Sequence, residues 1–530
     1  MRSRFTPVGA SPARLLCLIS AVFLVAGCSW VDSFRSSIAL PVDVSPDGVR
    51  ARMIAPATLD TSDPAPSAAA ARPTGSALPP APRPATSEES GEVFALRDAI
   101  DFGLQNNPRL AAALATIERT RGEENVAFSA FLPEIDLLTH EGITSPDLGP
   151  ASAGATGIII PTVTATHAYA QAELQLQWTI YDFGHTGGRY HQAQARERIA
   201  ELQSTRARQT VGFDVASAYL LALRAGASRR IQQEAVRRAE ATLRDTRSRR
   251  AAGVLEKDDV LRAEVQLVAA QEDVDLAREA ELNATARLNN AMGRNASAPL
   301  TLIPWKFEPP LNLSLEQCLD TAANQRSEIG IARDAVAAAQ FGRESVAGEF
   351  LPKVYTLASA GVVGGSNISS GSQEGLGLHI DVPLYTGGRR GGALSAADAE
   401  IRGAIAAARS ILDEVTLEVT LAYVAATTAR RRIERDYPAI VEANENLRLV
   451  RNRYRNGHAT PTDIVDAEVA LTRAQQRLIA ANYEYLGALV GLDYALENSP
   501  ASSLGPAEAP DAKNPPSPDG APATPPLPTP

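Results

Sequence analysis

The sequence predicts an α+β membrane protein in which a pair of strands and a long helical hairpin occur twice. Three observations predict it. First, landmarks recur in one order. Leu132-Pro133 returns as Leu351-Pro352, and Thr186-Gly187-Gly188-Arg189 as Thr386-Gly387-Gly388-Arg389. Gly253…Asp259-Val260…Ala263-Glu264-Val265 returns as Gly457…Asp463-Ile464…Ala467-Glu468-Val469. The offsets are 219, 200 and 204 residues, which marks a large duplicated module rather than a short solenoid period. Second, each copy holds text with the two-residue period of a strand. Third, each copy then runs through about 60 residues of helical text, enough for roughly 90 Å of helix. Low aromatic content, 5%, and abundant Ala favour long, closely packed helices over one thick core.

From the N-terminus, Arg2, Arg4 and Arg14 precede an apolar run from Leu15 to Ala26, followed by Gly27-Cys28. A charged start, a short apolar stretch and a small residue at the cut describe a secretory signal over residues 1–27. The run is short of the roughly 20 apolar residues a transmembrane helix needs. Val25-Ala26-Gly27-Cys28 resembles the bacterial lipobox, in which the cysteine is lipidated; the alternative is an ordinary signal with an incidental Cys28. Ser29 after it resembles lipoproteins sent to the outer membrane. Loss of residues 1–27 removes three arginines and no acid, which takes the net charge from −10 to −13 and argues against a nucleic-acid partner. Cys17 leaves with the signal and Cys28 carries lipid. Cys318 is then alone, without a disulfide partner in the chain, and reads as a small apolar residue on a helix face.

Residues 28–92 form a lipid-anchored start and a flexible linker rich in Pro, Ala and Ser. The first repeat spans 93–293, a connector 294–312, the second repeat 313–498, and a disordered Pro-rich tail 499–530. Each repeat opens with a helical stretch, Phe94 to Ser129 and Leu313 to Gly348, which Leu-Pro should stop. Strands follow near Ile135–Thr139 and Val354–Val362. The clearest strand text is Ala170-x-Ala172-x-Leu174-x-Leu176-x-Trp178-x-Ile180, with polar residues between, and Leu376-x-Leu378-x-Ile380-x-Val382-x-Leu384 repeats it. Loops at about Gly142–Thr164 and Gly364–Gln373 join each pair.

After each Thr-Gly-Gly comes the long helical stretch, Arg189 to about Arg250 and Arg389 to about Arg455; Pro438 in the second is a candidate kink. Each turns at a glycine, Gly253 or Gly457, and a helix returns to about Met292 or Leu492. The last of these carries two apolar seams. Val465, Val469, Ile479, Tyr483, Leu486 and Val490 form one, with Thr472 and Gln476 as polar gaps. Ile464, Leu471, Leu478, Tyr485 and Leu492 form the other. Two seams imply neighbours on both sides, as in a closed wall of helices.

One apolar and one polar strand face fit a lipid-facing band around a wet interior. Four strands cannot close a barrel, which starts at about eight, and open edges are not tolerated in hydrocarbon. Three chains would pool twelve strands. The alternative is a soluble sandwich on a helical stalk.

These residues resemble the TolC-like outer-membrane efflux family, here as an outer-membrane factor lipoprotein. The marks are Asn107-Pro108-x-Leu110, the two Leu-Pro turns, Tyr181-x-x-Gly184…Gly188-Arg189, Pro383-Leu384-Tyr385-x-Gly387-Gly388-Arg389 and the paired hairpin tips, over about residues 93–498. The resemblance implies a homotrimer, a TolC-like α/β barrel with four strands per chain in a shared twelve-stranded outer-membrane barrel, and long helical hairpins forming a periplasmic tunnel. It implies a passive exit duct, in contact with outer-membrane lipid, that docks with a periplasmic adaptor and an inner-membrane RND, ABC or MFS pump.

Family positions for the periplasmic gate fall on Asp463 and Asp466, and Tyr454 matches a gate tyrosine. Asp258 and Asp259 stand at the first tip. Asp463 and Asp466 lie three apart and can share a helix side, where a threefold ring would cluster carboxylates and raise their pKa values. The alternative for all four acids is helix N-terminal capping. Gly253, Val254, Leu255, Gly457, His458 and Ala459 resemble adaptor-contact tips; the glycines also serve the turn geometry alone. The family arginine two positions after the tip glycine is Ala459 here, so its lock is missing or rebuilt by Arg262 or His458. A meeting of Arg262 with Asp466 is one such possibility.

Six histidines show no metal-ligand spacing, there is no phosphate-binding glycine loop and no Gly-x-Ser-x-Gly elbow. The reading is no enzyme, no cofactor beyond covalent lipid on Cys28, and no metal. The expected function is the outer-membrane exit duct of a tripartite efflux system for small molecules or drugs in a Gram-negative bacterium. The alternatives are the duct of a type I protein secretion system and, from another class, a non-conducting periplasmic scaffold lipoprotein.

Overall fold

The computed structural model describes residues 92–144, 167–305, 309–365 and 368–504, all within one compact unit, residues 53–530. The signal, Cys28, the linker up to residue 91 and residues 505–530 lie outside the described residues. The first repeat holds β1 (Glu92–Phe94), α1 (Leu96–Asn106), α2 (Pro108–Ser129), β2 (Glu134–Thr144), β3 (His167–Tyr181), α3 (His185–Ala251) and α4 (Lys257–Ala291). Then come β4 (Leu300–Leu302), α5 (Leu315–Gln325), α6 (Ser327–Glu349), β5 (Lys353–Gly365), β6 (Ile368–Asp381), α7 (Arg389–Arg455) and α8 (Pro461–Leu496).

Each opening helical stretch is two helices rather than one. Asn107 is extended because Pro108 excludes it from the helical region, and Pro108 starts α2 where no N–H is needed. The Asn107 side chain accepts the Arg109 N–H at 2.9 Å and donates to the Ala291 carbonyl at 2.8 Å, which ties the break to the end of α4. Arg326 makes the same break in the second repeat without a proline. Its buried guanidinium donates to Glu418 at 2.6 Å, Glu328 at 3.0 Å and the Ala495 carbonyl at 2.8 Å. Burial works against this charge; Glu418 and Glu328 more than offset it and hold its pKa above the ordinary value.

The four long strands form one antiparallel sheet in the order β2-β3-β5-β6. Paired residues share a face, and the register aligns Ile135, Leu176, Ala358 and Leu376 across it, then Leu137, Leu174, Ala360 and Glu374 in the next row, toward the sheet's far end. The opposite face carries Asp136, Gln175, Ser359 and Gly375 in line. The strands outrun the expected segments. β5 and β6 take in most of Gly364–Gln373, because Gly364 and Gly365 continue the ladder; only residues 366 and 367 lie between them. β6 ends at Asp381 instead of Leu384, since Pro383 has no N–H to give a ladder. Residues 145–166, most of the first expected loop, are outside the described residues.

Both long helices have 67 residues, about 100 Å at 1.5 Å each. They start after Gly184 (φ +92°) and Gly388 (φ +84°), 204 positions apart. The true structural match is therefore Tyr181-x-x-Gly184 with Tyr385-x-x-Gly388. The two Thr-Gly-Gly-Arg copies are one helical turn out of register: the first lies inside the opening turn of α3, the second ends where α7 begins. The helices themselves start at equivalent positions, so the offset lies in where the letters fall. In the first copy the Asp182 carboxylate accepts the Thr186 N–H at 2.8 Å and the Thr186 hydroxyl at the opening turn. Thr386 stands at the matching place. Pro438 lies inside α7, which continues through it to Arg455.

Helix α3 packs on α4 and α8, and α7 packs on α8, giving a layer in the order α4-α3-α8-α7. The largest core joins this layer to α1 and to a two-stranded parallel sheet of β1 with β4, the latter from the connector. Val215, Leu288, Met292 and Leu489 are buried there, and the Tyr219 hydroxyl sits 3.0 Å from the Phe94 carbonyl and 2.8 Å from that of Ile303. The start of the expected tail is also ordered. Ala501 and Leu504 are buried, and the Asp493 carboxylate accepts the Ser503 N–H at 2.8 Å and the Ser502 hydroxyl at 3.1 Å. Buried Cys318 lies on α5.

Candidate functional site at the hairpin tips

The two hairpins end in turns of one design. Gly253 (φ +76°) and Gly457 (φ +77°) adopt the left-handed conformation that glycine takes without strain. The Gly253 N–H donates to Arg250 and the Val254 N–H to Arg249; Gly457 and His458 do the same to Tyr454 and Arg453. These paired bonds close the last helical turn and satisfy its carbonyls. Val254 is exposed at its tip, while Ala459 packs against the small core that includes Val450, Tyr454 and Ile464. A small apolar residue at 459 thus serves the second tip's own core.

Helix α8 starts with a reciprocal cap. The Thr460 N–H donates to Asp463 Oδ2 at 2.7 Å, the Thr460 hydroxyl to the same oxygen at 2.8 Å, and the Asp463 N–H returns to Thr460 Oγ1 at 3.3 Å. Thr460 bonding pulls the Asp463 carboxyl below its ordinary range. Asp259 makes the weaker counterpart, accepting the Glu256 N–H at 3.4 Å. In the single chain Asp463 and Asp259 are therefore capping residues. Asp466 is not: with Asp463, His458, Arg453 and Asn446 it lines a cavity of about 290 Å³ beside the tip.

Arg262 links the tips. It lies 3.5 Å from Asp258 on its own helix and 3.4 Å from the Thr462 hydroxyl on α8. Within one chain its partner across the tips is thus Thr462 rather than Asp466. Tyr454 is buried, with the Arg249 guanidinium 4.3 Å over its ring and Arg249 Nη1 donating to its carbonyl at 3.3 Å. Burial raises its phenol pKa, with Thr246 and Arg249 pulling it down. Sequence reasoning passed over Thr460, Thr462 and Arg249. Thr460-Pro-x-Asp was a readable cap pattern; the reach of Arg249 to another helix had no sequence signal. Among the described residues no group of three or more His, Cys, Asp or Glu converges as a metal site.

The family model described as outer membrane efflux protein matches residues 100–294 and 318–497. The outer membrane efflux protein BepC of Brucella suis is 25% identical over 266 residues, covering 50% of this chain and 58% of BepC, so the chain spans a little over half of that relative. The alkaline protease secretion protein AprF of Pseudomonas aeruginosa is 23% identical over 425 residues, 77% of this chain and 85% of AprF. Among solved structures, the outer membrane protein VceC of Vibrio cholerae shares the fold with a TM-score of 0.66 at 22% identity, over 76% of this chain and 96% of VceC. Family match, repeated strand-and-hairpin modules and shared fold agree: the chain belongs to the outer membrane efflux protein family.

Proposed function

We propose that this chain is the outer-membrane exit duct of a tripartite efflux system, a homotrimer that passes small molecules or drugs without energising the transport. One observation carries the reading: the sheet has a bare apolar face. Leu376 is 83% exposed, Leu137 66% and Leu378 64%, while the other face carries Gln171, Glu173, Gln175 and Gln177. Its edge strands β2 and β6 have no further partner among the described strands. Such a surface fits hydrocarbon outside and water inside once the edges are paired. Three copies supply twelve strands, and the helix layers continue as a tunnel into the periplasm.

In this reading Cys28 carries lipid at the outer membrane, and residues 28–91 tether it. The tips around Gly253-Val254-Leu255 and Gly457-His458-Ala459 meet a periplasmic adaptor working with an RND, ABC or MFS pump. Asp258, Asp259, Asp463 and Asp466, with Tyr454, ring the narrow end. Single-channel recording on purified full-length protein tests the duct; silent trimers would refute it. Labelled palmitate should enter the wild type and not Cys28→Ala.

A second reading, the duct of a type I protein secretion system, is favoured by the long match to a protein named for alkaline protease secretion. An ABC exporter encoded beside this chain, in place of an RND pump, would select it.

A further inference from the structure

Helices α4 and α8 flank α3, and the three leave between them a cavity of about 670 Å³. A space of that size suits a drug-sized molecule. Three arginines line it: Arg238 from α3, and Arg473 and Arg477 one turn apart on α8. The acids on its wall are Asp273 of α4 and Glu468 of α8. Glu468 is already engaged, accepting from Arg451 at 2.9 Å and from the Thr242 hydroxyl at 3.2 Å. Arg473 and Arg477 are exposed, and neither side chain has an ion pair or hydrogen bond among the described residues. With Glu468 balanced by Arg451, three cations face Asp273 alone, and the wall is net positive.

Two buried polar atoms on the same wall, Arg238 Nε and Gln232 Oε1, lack a hydrogen-bond partner among the described residues. Arg238 reaches the Thr472 hydroxyl with Nη2 at 2.9 Å. Burial pulls its pKa below the ordinary value, and Glu468 and Glu234 offset only part of that. A guanidinium stays charged all the same, so its desolvation calls for an opposite charge. The internal repeat shows that the basic set is no by-product of building a hairpin. The shift of 204 residues that carries Gly253 onto Gly457 pairs Arg238 with Glu442, Arg473 with Ala269 and Arg477 with Asp273.

We propose that this cavity is a binding site for a small organic anion. Arg473 and Arg477 hold its carboxylate or phosphate groups from α8, and Arg238 Nε donates to it from α3. The planar fork of a guanidinium matches either group with paired N–H donors. Gln232 Oε1 accepts from a hydroxyl of the same ligand. The site stands apart from the hairpin tips, and the inference does not rest on the duct reading.

Equilibrium dialysis of the full-length protein in detergent against labelled citrate, a carboxylate-rich anion that stays out of micelles, tests it. The wild type should bind citrate saturably and release it as salt is raised. Arg473→Gln and Arg477→Gln should each weaken binding by about tenfold with the melting midpoint unchanged, and the double variant should lose saturable binding. Arg238→Lys, which keeps the charge but not the fork, should also weaken it by about tenfold. Arg196→Gln, at an exposed arginine near the start of α3, should bind as the wild type does. Absence of saturable binding by the folded wild type would overturn the site. So would losses in Arg196→Gln equal to those in Arg473→Gln, which would mark a general attraction of anions to arginine.

Discussion

The guanidinium of Arg262 stands 3.4 Å from the hydroxyl of Thr462 and so ties the first hairpin tip to the second. Arg262 is exposed and Thr462 half-buried, which makes the tie weak and easily released. Arg262→Ala should leave thermal stability within about 0.5 kcal/mol and raise single-channel conductance. Unchanged conductance would show that the tie has no part in holding the tips.

The two acids of the second tip should separate by function. Asp466→Ala keeps the Thr460 cap intact and should reduce cation selectivity and block by multivalent cations. Asp463→Ala removes the cap as well. Loss of selectivity in Asp463→Ala, with none in Asp466→Ala, would assign the effect to the folding of the tip.

Asp463 also sets a pH dependence. Its pKa is held below the ordinary carboxylate value by the Thr460 N–H. A depressed acid stabilises the fold above its unfolded value, and that contribution is lost as pH falls through the folded value. Protection of the Thr460 amide, measured against its intrinsic exchange rate at each pH, should therefore hold at neutral pH and fall below about pH 4. In Asp463→Asn this acid-dependent change should be absent.

Arg326 is the most consequential buried charge. Replacing it with Met leaves Glu328 and Glu418 facing each other with only Arg206 between, and should cost about 3–5 kcal/mol. Thermal melting measures the loss. The surface pair Arg448–Glu445 provides the contrast, since Arg448→Met should scarcely move the midpoint.

Gly188 and Gly392 occupy equivalent helix positions and should differ sharply on substitution. A Cβ at Gly188 would lie 2.6 Å from the Ser345 nitrogen and 2.7 Å from the Phe341 carbonyl, both backbone atoms that cannot swing aside. At Gly392 a Cβ meets nothing within 4 Å. Gly188→Ala should lower stability by about 1–3 kcal/mol, while Gly392→Ala should raise helix stability by up to about 1 kcal/mol.

Much of this architecture was legible because its causes are periodic. Alternation from Ala170 to Ile180 marks a strand, and Gly253 and Gly457 mark turns, through local rules alone. The misregister of Thr-Gly-Gly-Arg shows where local rules stop. Identical letters fell one turn apart although both helices start after equivalent left-handed glycines, Gly184 and Gly388, so the letters alone misalign the repeats. The break at Asn107 carried its proline as a signal. The matching break at Arg326 did not, since carboxylates on α6 and α7 and the end of α8 hold it. The pairing of β1 with β4 joins two three-residue segments about 200 positions apart, too short to show a period. At the tips the acids could be found by type and spacing, but their division into Asp463 as cap and Asp466 as cavity wall needed coordinates.

The equal 67-residue lengths of α3 and α7 act as a ruler. Deleting one residue from either helix would pull its tip back by about 1.5 Å and rotate everything beyond the deletion by about 100°. The tips would no longer be level, and every side chain past the cut would face a new neighbour. Length changes in this protein should therefore be tolerated in residues 145–166 or in the Pro-rich ends, and in the long helices only as matched edits in both repeats and in their return arms.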